Sequence, residues 1–321
     1  MHTTDLSPCT HEHDFMPDTS SAERRTRIVM VLAAVMMVAE IAAGTVFHSM
    51  ALVADGWHMG THVTAFVLAA AYAFGRRHAK DARFTFGTGK VGVLGGFTSA
   101  IVLSGIAVLM GAESLHRLFA PATIHFKQAI GIAAAGLVVN AASAWVLKDN
   151  PRHQHGHGHE HEHGHASGGH AHHDLNLRAA YLHVIADAFT SLAAVGALTM
   201  GYCFGWVWLD PVMGLAGMTV ILSWAYTLLR DTGSILVDRV PAHTDLPEVI
   251  RAGVEADGDT RISDLHIWQV GAGKFAAVIS VVAHHPRLPE EYRAALRRHE
   301  ELVHVTVEVQ PCHEAASVRS A

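Results

Sequence analysis

The sequence predicts a membrane-embedded all-α bundle of six transmembrane helices followed by a small cytoplasmic α+β domain. Three observations carry that reading. Half of the 321 residues are hydrophobic and only 16% are charged, which is too apolar for an ordinary soluble domain. Six segments reach the about 20 apolar residues that cross a bilayer as a helix. After Pro241 the pattern changes to amphipathic and alternating stretches.

The spans run approximately Ile28–Phe47, Met50–Phe74, Val91–Glu113, Gln128–Leu147, Leu177–Phe204 and Trp206–Leu228. The gaps after the first and fifth are short enough for tight helical hairpins. Basic residues set the orientation. Arg24, Arg25 and Arg27 precede the first span, and Arg76, Arg77, Lys80, Arg83 and Lys90 separate the second from the third. Lys148 and Arg152 follow the fourth, and Arg230 and Arg239 follow the sixth, whereas the opposite loops hold only Arg117 and Lys127. The excess of Lys and Arg on one side places both termini in the cytoplasm of a bacterial-type inner membrane.

In the tail, Leu246–Ala256 reads as an amphipathic helix after the Asp245-Leu-Pro start signal. Ile262–Val270 and Phe275–Ala283 read as strands joined at Gly271-Ala-Gly273. Pro289–Glu300 reads as a second helix and Leu302–Val309 as a third strand. This αββαβ order suits a ferredoxin-like domain with helices on one sheet face. The expected organisation is a His-containing N-terminal tail over 1–27, the transmembrane domain over 28–240, the cytoplasmic domain over 241–311 and a tail over 312–321. A His-rich loop, 153–173, interrupts the helices and has ten of the chain's 27 histidines. Nothing in it builds a core, so it is expected to be disordered without metal.

Several classes are excluded. A formal charge of −6 with no basic stripe argues against a nucleic-acid partner. Cys9, Cys203 and Cys312 are scattered and odd in number, so no disulfide framework is expected. No cleavable signal peptide is visible at the N-terminus. No constellation of catalytic residues is found.

The chemistry lies in two spans. His58 and His62 are four apart in the second, and His183 and Asp187 are four apart in the fifth. Positions i and i+4 share a helix face, and ionisable side chains in hydrocarbon rarely persist without a partner or a substrate. Two such helices packed together present three imidazoles and one carboxylate to one point, which suits a tetrahedral divalent-metal site at membrane depth. Asp55 shares the face of His58 and His62, and Ser191 lies one turn beyond Asp187.

The stretch Ser49-Met-Ala-Leu-Val-Ala-Asp55-Gly-Trp-His58-Met-Gly-Thr-His62 resembles the second transmembrane helix of the cation diffusion facilitator family. Tyr181-Leu-His183-Val-Ile-Ala-Asp187-Ala-Phe-Thr-Ser191 resembles its fifth. Phe84-Thr-Phe-Gly87, Asp210-Pro211 and Asp264-Leu-His266-Ile-Trp268 are further matches in the same order, and the resemblance runs from about Ile28 to Val309. It implies a homodimeric exporter, joined through the C-terminal domain, that exchanges a cytoplasmic divalent metal for protons. His58, His62, His183 and Asp187 would hold the transported ion. His62 departs from the common zinc-type pattern, which has an aspartate there. Imidazole suits Zn, Ni, Co and Cu, whereas oxygen ligands suit Mn and Mg. The chain also resembles the cobalt- and nickel-exporting branch, with a His-containing start such as His11-Glu-His13-Asp-Phe15. Co²⁺ and Ni²⁺ are therefore the favoured cargo, Zn²⁺ is retained, and H⁺ is the counter-ion; no permanently bound cofactor is expected.

Further candidates are weaker. Alternating His155, His157, His159, His161, His163 and His165 could chelate metal at the cytoplasmic mouth, and Cys9, His11 and His13 could form a capture site. Asp55 is a candidate helix-terminus, outer-sphere or ligand residue, and Asp210 a candidate of the first two kinds. Glu40, inside the first span, suits helix packing or proton access. His78 reads as a solvated loop histidine. In the tail, His266, His284, His285 and Glu308 are candidate regulatory ligands. Ser280 stands where many zinc-type members have a histidine, and Glu308 and Gln310 resemble the family ending with its acid and amide exchanged. The alternative from another class is a membrane-anchored metal sensor or storage protein that uses the His-rich loop.

Overall fold

A computed structural model of the chain describes residues 23–79, 81, 83–148, 188–240 and 244–312. The apolar runs form helices α1 (Glu23–Val46), α2 (Met50–His78), α3 (Gly89–Phe119) and α4 (Phe126–Lys148). α5 is described over Ala188–Phe204, and α6 spans Leu209–Leu236. Among the described residues, α3 and α6 are long and apolar enough to cross a membrane by length and composition, and α1, α4 and α5 contain shorter apolar helical stretches.

Helix ends differ from the hydropathy limits. α6 continues through Arg230 and Asp231 to Leu236, because polar residues end the apolar run without ending the hydrogen-bond ladder. α2 likewise continues past Phe74 through Arg76 and Arg77. The turns 47–49 and 205–208 are as tight as expected. In the first, His48 takes a left-handed φ of 56°, and its carbonyl accepts Arg117 Nη1 at 2.8 Å.

The chain divides into two compact units. One comprises Thr19–Phe66 and Ser99–Thr227; the other includes Val67–Thr98 and the chain from Leu228 onward. In the first unit, small residues let helices approach closely, as is usual for membrane bundles. A Cβ on Gly217 of α6 would sit 2.8 Å from Ala54 Cβ of α2, and one on Gly44 of α1 would sit 2.6 Å from Val53 Cγ2.

The second unit contains the αββαβ elements: α7 (Leu246–Val254), β1 (Arg261–Gly271), β2 (Lys274–Ala283), α8 (Pro289–Leu296) and β3 (Leu302–Pro311). The sheet order is β1-β2-β3, with β1 antiparallel and β3 parallel to β2. Gly273, at φ 64°, makes the β1–β2 turn. Leu246, Ile250 and Val254 recur every fourth residue and line one face of α7; with Tyr292 and Leu296 of α8 they cover Ile267, Ala277, Ile279 and Val281. α8 stops at Leu296, short of the expected Glu300. Arg297, Arg298, His299 and Glu300 offer no apolar position that would bind a further turn to the sheet.

Candidate metal site in the helical unit

The site begins with the way α2 is held. Four N–H groups at a helix start lack intrahelical partners, and here they are buried. Asp210, at the start of α6, accepts Met50 N–H on Oδ2 at 2.7 Å and Ala51 N–H on Oδ1 at 3.1 Å. Ser49 Oγ accepts Leu52 N–H at 3.1 Å and donates to Asp210 Oδ1 at 2.7 Å. A carboxylate at a helix N-terminus also meets the positive end of the helix dipole. Asp210 is 2% exposed and Ser49 is fully buried. The sequence singled out Asp210 as a helix-terminus residue; the helix it caps is not its own but α2.

One turn into α2, Asp55 and His58 face inward, 3% and 9% exposed. They line a cavity of about 150 Å³ with Phe189 and Thr190 of α5 and Met213 and Gly217 of α6. His62 lies one turn further along α2. His183 and Asp187 lie outside the described residues, as do Cys9, His11, His13 and His155 through His165. The polar lining continues outward from the histidine. Ser191 Oγ donates to Asp55 Oδ1 at 3.2 Å and accepts Asn140 Nδ2 of α4 at 3.2 Å. Three helices thus meet at one fully buried hydroxyl. Glu40 of α1 is fully buried too, and neither carboxyl oxygen has a hydrogen-bond partner among the described residues. Its Oε1 occupies the space a Cβ on Gly136 of α4 would take, 1.8 Å away. Asn140, Gly136 and the α6 wall escaped sequence reasoning, since single polar or small residues in an apolar run have no spacing to mark them.

The tail candidates are dispersed rather than gathered. His266 Nε2 lies 2.8 Å from Asp264 Oδ2, and His284 Nδ1 lies 3.0 Å from Asp259 Oδ1. Glu308 Oε2 accepts Ser280 Oγ at 3.0 Å, so the serine at the family's histidine position meets the acid on the next strand. His285 gives Asp259 only its backbone N–H, at 2.8 Å. Among the described residues, no three His, Cys, Asp or Glu side chains form a group able to hold a metal. His78 Nδ1 lies 2.9 Å from Phe74 O, and its ring stacks on Phe74.

Electrostatics in the tail serve the fold. The backbone N–H of Thr260, then its hydroxyl and the Arg287 guanidinium, pull the Asp257 carboxyl down to about 2. Asp259 is lowered mainly by the His285 backbone N–H. A larger cavity, of about 760 Å³, lies where Phe86 and Lys90 meet Asp238, His266 and Trp268. Its cationic side chains already have acidic partners: Lys90 pairs with Asp238 and Arg83 with Asp81. Phe86 packs edge-on against Trp268 and His304, with centroids 5.3 and 5.5 Å apart.

A family model described as the cation efflux transmembrane domain matches residues 26–237. The chain is 29% identical over 309 residues to the zinc transporter ZitB of Escherichia coli, covering 94% of this chain and 92% of that protein. It is 28% identical to the metal cation efflux system protein CzcD of Cupriavidus metallidurans, over 95% and 92% of the two chains. It is 27% identical to the cadmium, cobalt and zinc/H⁺-K⁺ antiporter of Bacillus subtilis, over 85% and 84%.

Proposed function

The chain belongs to the cation diffusion facilitator family, and from that premise we propose that it carries divalent transition-metal ions out of the cytoplasm in exchange for protons. It is a carrier and not an enzyme. The observation that carries the reading is the cavity that joins His58 and Asp55 of α2 to α5 through Phe189 and Thr190. His58 and His62 are the candidate ligands on α2, and the sequence places the other candidate pair, His183 and Asp187, just before the described part of α5. A channel fits this less well, because ions must leave a pore easily. The sensor or storage alternative gives way as well, because the matched family model is that of a cation-efflux membrane domain.

The finer reading has six spans with both termini in the cytoplasm, a transmembrane domain over 28–240 and a ferredoxin-like domain over 241–311 through which two copies pair. The αββαβ order and the apolar helices support it. Histidine must be neutral to bind metal, so metal binding displaces a proton that the imidazole can take up again once the metal leaves. His58, His62 and His183 carry the protons, and Asp187 offsets metal charge.

His62 directs the choice of cargo. A third imidazole in place of a carboxylate favours Co²⁺ and Ni²⁺, with Zn²⁺ also accepted. The relatives' names include zinc, cadmium and cobalt, so cobalt has support on both counts. The test is metal tolerance of cells expressing the wild type or His62→Asp. Protection that moves from cobalt and nickel toward zinc upholds the assignment; an unchanged metal profile removes it. Loss of all protection in His58→Ala and Asp187→Ala is the matching test of the site.

A further inference from the structure

The turn between α1 and α2, 47–49, is held from three other parts of the helical unit. Phe47 O accepts the His125 N–H, just before α4, at 3.1 Å. His48 O accepts Arg117 Nη1 of α3 at 2.8 Å, and the Ser49 hydroxyl donates to Asp210 of α6 at 2.7 Å. We infer that Arg117 is the releasable one of these fastenings, a latch that keeps the cavity beside His58 shut on the side away from the cytoplasm and lets go when metal leaves. This latch presupposes the export and the topology proposed above, and deepens that reading by naming a gating residue.

The cavity beside His58 ends close beneath the turn. Its first residue on α2 is Ala51 and its first on α6 is Met213; His48 and Asp210 each lie three residues earlier. Both helices begin at this end, since Asp210 at the start of α6 caps the start of α2. At about 1.5 Å per residue, the closing layer is about one helical turn thick. α3 presses against it from the side: a Cβ on Gly214 of α6 would lie 2.1 Å from Ser114 Oγ and 3.1 Å from Met50 Cβ. Arg117, three residues beyond Ser114, lines a small cavity of about 40 Å³ together with His48, Trp208 and Asp210.

The three fastenings differ in how readily they part. The Asp210 bonds are buried, so breaking them strands amides away from water. The Arg117 bond reaches an exposed residue, His48, and water can replace the guanidinium on that carbonyl. Arg117 also has a second partner on its own helix, since Nε donates to Glu113 Oε1 at 2.8 Å, four residues back. Glu113 is half exposed, so the ion pair follows the guanidinium as it turns away and the charge stays compensated. His48 has a left-handed φ of 56°, which a non-glycine residue keeps only where its surroundings hold it. Losing the Arg117 bond frees the turn to move.

The test uses the full-length protein with Cys9, Cys203 and Cys312 replaced by serine and a reporter, Ala193→Cys, on the cavity wall. A membrane-impermeant maleimide is applied to right-side-out and to inside-out membrane vesicles. Arg117→Ala is expected to speed labelling from the outer face about three- to tenfold, the worth of one hydrogen bond, with no increase from the cytoplasmic face. Arg117→Lys, which keeps a donor for the His48 carbonyl, returns the outer rate toward that of the Arg117 protein. An unchanged outer rate, equal increases from both faces, as general loosening of the bundle would give, or no rescue by lysine would overturn the latch. His58→Ala separates this from the transport reading. Co²⁺ transport that survives it removes the proposed site, whereas transport lost in His58→Ala with labelling unaltered in Arg117→Ala removes only the latch.

Discussion

Replacing Asp210 tests whether the start of α2 depends on a residue 160 positions away in the sequence. Asp210→Ala removes the acceptor for Met50 N–H, Ala51 N–H and the Ser49 hydroxyl, at 2.7, 3.1 and 2.7 Å. Met50, Ala51 and Ser49 are at most 3% exposed, so water does not take over. A buried donor left unsatisfied costs about 1–3 kcal/mol. The hydroxyl can turn to another acceptor, but the two amides cannot, so the loss is about 3–5 kcal/mol. For a protein of this size each kcal/mol moves the midpoint by about 2–4 °C, and a fall of about 10 °C is expected for the detergent-solubilised protein. Asp210→Asn is the sharper variant. Its carbonyl still accepts from Ser49 and Ala51, but its amide opposes Met50 N–H, donor against donor, so about half the loss is expected. The assay is thermal unfolding of both variants, followed by tryptophan fluorescence, with Co²⁺ transport measured below the midpoint. A shift under about 2 °C for Asp210→Ala, or a larger shift for Asp210→Asn than for Asp210→Ala, would refute the capping argument.

Gly217→Val drives a branched side chain against Ala54, where even a Cβ would lie 2.8 Å from Ala54 Cβ. It should cost about 1–3 kcal/mol as overpacking and reduce transport several-fold, because it narrows the cavity beside His58; transport assays on the purified variant check this. Gly89→Ala places a methyl 2.1 Å from the Val270 carbonyl oxygen, a backbone atom with no easy escape. Faster amide exchange at the β1–β2 turn is the expected signature. Asp257 has a folded-state pKa of about 2, below its ordinary value, so its contribution is complete above about pH 4 and fades as pH falls toward 2. Asp257→Asn should speed amide exchange in 257–287 at pH 6 and leave little difference from wild type near pH 2; a difference that persists unchanged at pH 2 would count against the linkage.

Local periodicity made half of the site visible and long-range geometry concealed the other half. His58 and His62 stand out because two imidazoles four apart are costly in an apolar run. The αββαβ order stands out because alternation and turn residues are written within a few positions of each other. Helix ends were less visible for a physical reason: hydropathy reports where lipid contact ends, and α6 outlasts it through Arg230 and Asp231 to Leu236. The α8 terminus failed the opposite way, because turn-forming length was counted where no apolar face remained to hold it.

Asn140 was hidden, and the partners of Asp210 and Ser191 with it, for a different cause. Each is an isolated polar residue whose meaning depends on a partner on another helix: Asp210 on α2, and Ser191 on both α2 and α4. In a membrane bundle the apolar surface is already satisfied by lipid, so it carries little information about which helices meet or at what depth. That information falls to the few buried polar groups that must find one another. Asp210 fixes where α2 begins, and Ser191 ties α5 to Asp55, one turn before His58. Candidate ligands can be recognised by their spacing, while the residues that tie the helices together can be recognised only from their partners. Ser49, Asp55, Asn140, Ser191 and Asp210 therefore hold α2, α4, α5 and α6 together around the cavity beside His58, through bonds that no spacing within a single helix could announce.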